Sequence, residues 1–256
     1  MSRNFEVLRQ LDLEAGEVHP GNGAAAAAAS AEQQPLSAPS TDLRCPRMPE
    51  STAAEVRKLV ERLFLISGTG APQTVVFAAL QETKEPNVLC ARAGQILALQ
   101  SKASVCVVDA NLHSPWMHEY FDLRNEVGLS NTMLLPEAMQ LGHKASGLDL
   151  TVITAGPKTS QWEAVLASDG MRARLSELRE RFDYVLIDAP PLSASTSAML
   201  LGKLTDGVVM VVEANTTRRE VARKAKSDFN AFEVPLLGTV LNNRDFPIPK
   251  YLYAKL

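Results

Sequence analysis

The sequence predicts an α/β domain in three layers, a mostly parallel sheet with helices on both faces. Short apolar segments such as residues 105–108 and 184–187 alternate with longer segments that carry the apolar periodicity of helices. Strands that are apolar along their whole length are typical of a parallel sheet covered on both faces. The 256 residues, 46% of them hydrophobic, provide the core of one such domain.

The predicted elements follow one another in a regular order after residue 49. Apolar residues that recur every three or four positions predict helices, and short continuous apolar runs predict strands. The helices are predicted at residues 51–65, 87–100, 161–181 and 217–231. The strands are predicted at residues 74–79, 104–109, 148–154, 183–188, 207–213 and 235–241. Thr217 and Glu220 have the spacing of a capping box, so we expect them to open the last helix.

The chain divides into three regions of different composition. Residues 1–20 carry a short apolar stripe, which is typical either of a frayed tail or of a docking peptide for a partner. Residues 21–48 include the alanine run Ala24–Ala29 with Ser, Gln and Pro around it. Such a segment has little to bury, so a disordered linker is predicted. Residues 49–256 form the predicted domain and its short C-terminal tail.

Charge and cysteine content exclude several classes of function. The net charge is −3 and both signs are dispersed, which argues against a nucleic-acid surface. Three widely spaced cysteines form no metal-binding pattern and fit a reducing compartment. The apolar runs are too short for a membrane-spanning helix. We therefore expect a cytoplasmic domain that reaches a membrane only through a partner.

Two of the predicted strands end in an aspartate, Asp109 and Asp188. Ligands of parallel α/β sheets bind at the carboxyl ends of the strands. A carboxylate at a buried strand end needs water, a hydrogen-bond donor or a cation, and a pair of them suits Mg²⁺. Alternatively, each aspartate caps the turn that follows it.

The segments around these aspartates resemble the bacterial tyrosine kinases of capsule and exopolysaccharide assembly. Residues 182–191 (FDYVLIDAPP) resemble the Walker B segment of that family, and residues 107–115 (VVDANLHSP) are similar to its second Walker A-like motif. Three further segments occur in the family order, so the resemblance spans about residues 50–248. They are Gly128-Leu-Ser, Ala155-Gly-Pro and residues 238–244. The resemblance implies a P-loop NTPase-like fold of the deviant Walker class, which also contains Min-type and Par-type ATPases.

The resemblance also implies site residues, cofactors and partners. ATP and Mg²⁺ are the family cofactors, with Asp109 and Asp188 as catalytic and metal-binding carboxylates and Asn242 near the adenine. Tyr251 and Tyr253 are candidate phosphoacceptors, or alternatively aromatic anchors that pack the tail on the domain. The implied partner is an inner-membrane polysaccharide co-polymerase or chain-length protein, which would recruit the domain to the inner face of the membrane. A homo-oligomer is a further expectation.

The phosphate-binding loop is the main departure from the family. The sequence contains no G-x-x-x-x-G-K-[ST] motif. Glu82 and Lys84 occupy glycine positions, Glu85 occupies the lysine position, and Pro86 replaces the magnesium-binding serine or threonine. These changes remove backbone freedom, phosphate-binding charge and a metal ligand. Lys84 is the one residue here that could compensate as a nucleotide contact.

Smaller departures occur around the two aspartates. Asn111 and His113 replace an aspartate and an arginine, and Ser197 replaces an aspartate expected after the doubled proline. His113 and His118 flank Trp116, either as surface residues or as a base or ligand. The arginines of residues 172–181 alternate with glutamates, which predicts a solvated, salt-bridged helix face.

Three functional hypotheses follow. The first is a pseudokinase or scaffold that regulates exopolysaccharide synthesis and chain length, with weak nucleotide binding or none. The second is an active ATP-dependent tyrosine autokinase with an atypical loop. The third is a Min-like or Par-like ATPase or positioning protein.

Overall fold

A computed structural model describes residues 43–66, 70–82, 88–131 and 142–243, all within one unit that covers Ala38–Leu256. The strands are β1 (Thr74–Ala79), β2 (Val105–Asp109), β3 (Gly142–Lys144), β4 (Leu150–Ile153), β5 (Tyr184–Ala189), β6 (Gly207–Glu213) and β7 (Leu236–Asn242). The helices are α1 (Glu50–Val60), α2 (Leu89–Ser101), α3 (Met117–Tyr120), α4 (Trp162–Ala167), α5 (Asp169–Arg181), α6 (Ser197–Lys203) and α7 (Arg219–Ala231). A π-helical turn, Glu61–Leu65, extends α1.

The strands form one seven-stranded sheet in the order β3-β4-β2-β5-β1-β6-β7. All neighbouring strands are parallel except β3, which pairs antiparallel with β4. The predicted mostly parallel sheet is therefore confirmed, and each of its six predicted strands is present. The antiparallel β3 was not predicted, since three residues at a sheet edge carry almost no hydrophobic period.

Two apolar cores hold the layers together, one on each face of the sheet. The buried residues of α1, α2 and α3 share one core with alternate strand residues, such as Val75 and Phe77. The buried residues of α4, α5, α6 and α7 share the other, with Val76 and Ala78. This alternation along β1 is what a strand covered on both faces requires. The predicted three-layer architecture is confirmed.

The direction of the chain changes at β1, and this change positions the candidate site. From β1 the chain moves through α2 to β2 on one side, whereas β5 connects through α6 to β6 on the other side. The carboxyl ends of β1, β2 and β5 therefore meet where the strand order reverses. Open α/β sheets bind ligands at this point.

The long helix predicted at residues 161–181 is wrong in one respect, because Ser168 divides it into α4 and α5. Ser168 has extended backbone angles (φ −74°, ψ 157°), and its Oγ accepts a hydrogen bond from the Met171 amide. The same hydroxyl donates to the Val165 carbonyl at 2.7 Å. A Ser-Asp-Gly sequence favours a cap over helix continuation, and this signal outweighs the apolar periodicity that spans the break.

Two further expectations are corrected. The helix predicted from Thr217 begins at Arg219 instead, with Arg218 as the N-cap and no side-chain cap, so the capping box is absent. The face of α5 is only partly solvated, because Arg174 is buried and bonds Glu177 at 2.6 Å. The short helices α3 and α6 were not predicted.

Several expectations fall outside the described residues. These include the N-terminal peptide, most of the linker, Lys84 and the two tail tyrosines. Within the predicted linker, Leu43 is buried and forms a bridge with Ala145 beside β3. In the described part of the chain, no helix is long and apolar enough to cross a membrane.

Substitution of Ser168 by alanine tests the break between α4 and α5. The variant loses the hydroxyl that caps α5 and holds the end of α4, so we expect a loss of about 1 kcal/mol in the free energy of unfolding. Urea denaturation measures it. Ser176→Ala, in the exposed middle of α5, is the matched control and should change stability by less than about 0.5 kcal/mol. Equal midpoints for the two variants would contradict the capping role.

Candidate functional site

The two predicted aspartates lie side by side at the carboxyl ends of β2 and β5. Asp109 and Asp188 are direct partners in the parallel register of these strands. The Ala110 amide donates to the Asp188 carbonyl at 2.8 Å, which holds the two strand ends together. The prediction that the sheet brings both carboxyl groups to one site is therefore met by the geometry.

The carboxylate of Asp109 is fully buried and organises the loop that follows it. Its Oδ1 accepts from the Asn111 amide at 3.1 Å, and its Oδ2 accepts from the Trp116 and Met117 amides at 3.3 and 3.1 Å. Asp109 thus caps both the turn at its own strand end and the first turn of α3. This is the alternative role considered for it from the sequence.

The carboxylate of Asp188 is closed off by a tryptophan. The indole Nε1 of Trp116 donates to its Oδ2 at 2.7 Å, and both side chains are buried. The ring of Trp116 also packs edge-on against Tyr120, with centroids 5.9 Å apart. Tyr120 in turn donates to Gln95 on α2 at 3.0 Å. The indole is therefore held over Asp188 by α2 and α3 together.

Burial makes these carboxyl groups reluctant to ionise. It raises the pKa of Asp109 to about 7, although the three backbone donors act in the opposite direction. Burial, and then the neighbouring charge of Asp109, raise the pKa of Asp188 well above its usual range. The pKa of the Cys90 thiol on α2 is also raised, by its burial and then by the charges of Asp188 and Asp109. The site is thus a buried cluster in which desolvation favours the neutral forms of these groups.

This arrangement does not fit a magnesium site. Mg²⁺ needs accessible oxygen ligands and retains several waters, whereas both side chains are buried here. Both oxygens of Asp109 face backbone amides, and Oδ2 of Asp188 faces an indole N–H. Among the described residues, no group of three or more His, Cys, Asp or Glu could hold a metal ion. The predicted nucleotide contact Lys84 lies outside the described residues.

Sequence reasoning did not assign a role to Trp116. Its position seven residues after Asp109, directly after Pro115, marked it only as a neighbour of two histidines. The contact with Asp188 joins residues 72 positions apart, so no local pattern could have indicated it.

The Gly128-Leu-Ser and Ala155-Gly-Pro segments meet beside the site. The amides of Leu129 and Ser130 donate to the carbonyls of Thr154 and Ala155, each at 2.8 Å. Asn125 bonds both the amide and the carbonyl of Gly156, whose φ of 80° favours glycine. The two family-like motifs therefore form one structural unit behind the loop after β2.

Asn242 lies apart from the carboxyl pair. It ends β7, which two strands separate from β5, and its Nδ2 donates to Glu213 at 2.8 Å. Asn243 donates to the same carboxylate at 3.0 Å. Glu213 was not singled out from the sequence, although it ends β6 as Asp188 nearly ends β5.

The remaining candidates lie around the loop after β2. His113 is exposed and its ring contacts Trp162, with centroids 5.3 Å apart. His118 is half-buried, 3.9 Å from the Glu119 carboxylate. Asn111 and Ser197 are buried near the strand ends. Tyr251 and Tyr253 lie outside the described residues.

Comparison with known proteins finds relatives of one kind. No protein-family model matches the chain. The chain is 34% identical over 150 residues to the tyrosine-protein kinase YwqD of Bacillus subtilis, covering 58% of this chain and 63% of YwqD. It is 26% identical over 204 residues to CapB of Staphylococcus aureus, covering 79% and 88% of the two chains. It is 24% identical to the succinoglycan biosynthesis transport protein ExoP of Rhizobium meliloti, covering 77% of this chain and 26% of ExoP.

Comparison with solved structures finds proteins of the same kind. The chimerical protein CapA2B2 superposes with a TM-score of 0.71 at 26% identity, covering 78% of this chain and 88% of that one. The chain is similar to the family of bacterial tyrosine kinases of capsule and exopolysaccharide biosynthesis. A ParA-family ATPase of Chlorobium tepidum shares the fold of this family, with a TM-score of 0.56 at 16% identity over 68% of this chain and 75% of that one.

The chain spans less than two thirds of YwqD and about a quarter of ExoP. The likeness to tyrosine-protein kinases thus covers part of their length and does not fix the activity of a whole protein.

The raised pKa of Asp109 predicts a pH dependence of stability. Its folded pKa of about 7 exceeds the value of about 3.9 in an unfolded chain. Protonation of the Asp109 carboxyl group therefore contributes its full stabilisation to the folded protein below pH ~4. This contribution is lost as the pH rises to about 7. Between about pH 5.5 and 7 we expect the free energy of unfolding to decrease by at most about 1.4 kcal/mol per pH unit from this group. Urea denaturation across the window measures the slope, which Asp109→Asn should reduce.

The matched control for this slope is Asp183→Asn. Hydrogen bonds from Ser104 lower the pKa of Asp183, so its contribution is lost only as the pH falls below its usual range. The control should retain the wild-type slope between about pH 5.5 and 7. An unchanged slope in Asp109→Asn would show that this carboxyl group is already ionised in the folded protein.

Replacement of Trp116 by phenylalanine tests the bond to Asp188. The buried carboxyl group loses its side-chain donor, so we expect a loss of about 1–3 kcal/mol in the free energy of unfolding. The same substitution in an Asp188→Ala background should cost at least ~1 kcal/mol less, because the acceptor is already gone. Trp162→Phe, at a half-buried ring, is the control for lost aromatic volume. Equal costs of Trp116→Phe in the two backgrounds would argue against the hydrogen bond.

Proposed function

We propose that this domain is a pseudokinase that acts as a regulatory or scaffolding module in exopolysaccharide or capsule assembly. The observation that carries the proposal is the closed carboxyl pair. Trp116 donates a hydrogen bond to Asp188, and backbone amides donate hydrogen bonds to Asp109. Both of these carboxyl groups therefore act as hydrogen-bond acceptors within the protein. Phosphoryl transfer depends on positioned, charged groups around the nucleotide and its metal.

The loop after β1 supports the same proposal independently. At the positions of the P-loop motif it has no glycines, no lysine and no hydroxyl side chain, which are the residues that bind phosphate and metal in P-loop proteins. Its first residues are tied down by the sheet, since the Leu80 amide donates to Val211 and the Leu192 amide donates to Ala79. In the described part of this loop Glu82 is exposed, a carboxylate where a phosphate cradle would need amides.

The process and the partner are proposed from the relatives. ExoP is named as a succinoglycan biosynthesis transport protein, and this chain matches about a quarter of its length. We therefore propose a role at the inner face of the membrane, beside a polysaccharide co-polymerase or chain-length protein. Self-association in a homo-oligomer belongs to the same proposal.

An active autokinase is the competing function, because the chain is 34% identical to YwqD over 150 residues. That function would require the loop containing Lys84 to bind ATP and Trp116 to leave Asp188. Tyr251 and Tyr253 would be its phosphoacceptors. The third hypothesis, a Par-like ATPase, rests on a likeness that concerns the fold alone.

Nucleotide binding distinguishes these functions. We expect titration of the purified chain with Mg-ATP or Mg-ADP to release no binding heat, and millimolar nucleotide to leave the melting temperature unchanged. A ligand at a hundredfold excess over its Kd would add about 2.7 kcal/mol to stability, so binding would be visible. The tyrosine-protein kinase YwqD, measured under the same conditions, is the positive control.

The opposite result, binding of nucleotide by the purified chain, has an equally specific interpretation. Binding of Mg-ATP that Asp188→Ala abolishes would overturn the pseudokinase proposal. Phosphotyrosine on the purified chain, lost in a Tyr251→Phe/Tyr253→Phe variant, would then establish the autokinase instead.

A further inference from the structure

Helix α7 carries a concentration of positive charge on a chain whose net charge is negative. Five basic residues lie between positions 218 and 226, and all of them are exposed. The whole chain has a net charge of −3. The five residues are Arg218, Arg219, Arg223, Lys224 and Lys226.

Three of these cations form a line along one flank of α7. Successive helical residues are rotated by about 100°, so Arg219, Arg223 and Lys226 fall within an arc of about 60°. This α7 cationic stripe is roughly 10 Å long at 1.5 Å per residue. Glu220 projects roughly 90° from its centre. The stripe is thus a continuous row of cations.

The buried side of α7, centred roughly 115° from the stripe, fixes this orientation. Ala225 and Phe229 are buried in the core beneath the helix, and Val221 and Ala222 pack against it. Because α7 connects β6 to β7, it lies over the margin of the described sheet, where β7 is the last strand. The core therefore holds the stripe outward at the border of the domain.

The stripe differs from the other arginine-rich helix in its ion pairs. On α5, Arg172 pairs with Asp169 and Arg181 pairs with Glu177, while Arg179 pairs with Asp206 on the loop before β6. Within the described part of the chain, no cation of the stripe lies within salt-bridge distance of a carboxylate. The charge of α5 is largely compensated, whereas that of the stripe faces solvent.

We propose that the α7 cationic stripe is a peripheral binding surface for an anionic phospholipid membrane. Clusters of Lys and Arg on a helix are attracted to anionic leaflets, and several cations near one surface act together. The apolar side of α7 is already used by the core, so the contact would be electrostatic and without insertion. The stripe does not include the carboxyl pair, so this proposal does not depend on whether the domain binds nucleotide.

The shape and charge of the stripe favour a membrane over other anionic partners. A short, straight row of long side chains on a convex helix can lie flat on a plane of mobile headgroups. A nucleic acid would need a wider basic surface to neutralise many phosphates, and the rest of this chain is acidic. The same contact would also orient a domain that a membrane partner has recruited.

Co-sedimentation of the purified full chain with lipid vesicles tests the proposal. We expect binding at low salt to phosphatidylcholine vesicles that contain phosphatidylglycerol, little binding to phosphatidylcholine alone, and loss of binding at high salt. The Arg219→Gln/Arg223→Gln/Lys226→Gln variant should partition on the order of tenfold less or weaker still. The control Arg57→Gln/Lys58→Gln/Lys102→Gln changes three exposed cations on the opposite side of the sheet and should bind like wild type.

Both triple variants carry the same net charge, so a difference between them reports the position of the cations. Circular dichroism checks that each is folded, and the single Arg223→Glu variant provides a second test with less disturbance. Equal partitioning of the stripe variant and the control, or no binding of the wild type to anionic vesicles, would overturn the proposal. Stripe-dependent binding to duplex DNA without vesicle binding would overturn it in favour of a nucleic acid.

Discussion

Two carboxyl groups buried at the ends of neighbouring strands require hydrogen-bond donors, and the structure around the candidate site follows from this requirement. A buried carboxylate without partners would cost several kcal/mol. Asp109 obtains its donors by folding the following loop back so that three amides point at it. That same fold brings Trp116 to Asp188 and begins α3. The conformation of the loop, the start of α3 and the bond between Trp116 and Asp188 therefore all follow from the need of the two buried carboxyl groups for hydrogen-bond donors.

The fold does not depend on a phosphate-binding loop. Both cores are built from strand residues and from the buried sides of helices on either face, and the carboxyl pair lies at the end of the sheet. A change in the loop after β1 therefore alters what the sheet can bind without altering how it packs. This separation would allow a chain without a G-x-x-x-x-G-K-[ST] motif to share the fold of the bacterial tyrosine kinases.

The sheet could be predicted from the sequence because its strands are apolar on both faces, and the aspartates because each ends such a strand. The break at Ser168 and the start of α7 could not, since local capping competes there with apolar periodicity. The contact between Trp116 and Asp188 could not be predicted either, because it joins the connection after β2 to strand β5, which only the assembled sheet brings together. The family resemblance implied a metal held by Asp109 and Asp188, whereas the geometry shows each carboxyl group hydrogen-bonded within the protein.

The placement of the two tryptophans has a spectroscopic consequence. Trp116 and Trp162 are the only tryptophans in the chain. Trp116 lies in the connection after β2 and bonds Asp188, and Trp162 contacts His113 of the same connection. The intrinsic emission of the protein therefore originates at this connection, from one buried indole and one half-buried indole beside an imidazole. Any partner, lipid or nucleotide that moves the connection will change the emission spectrum without a label.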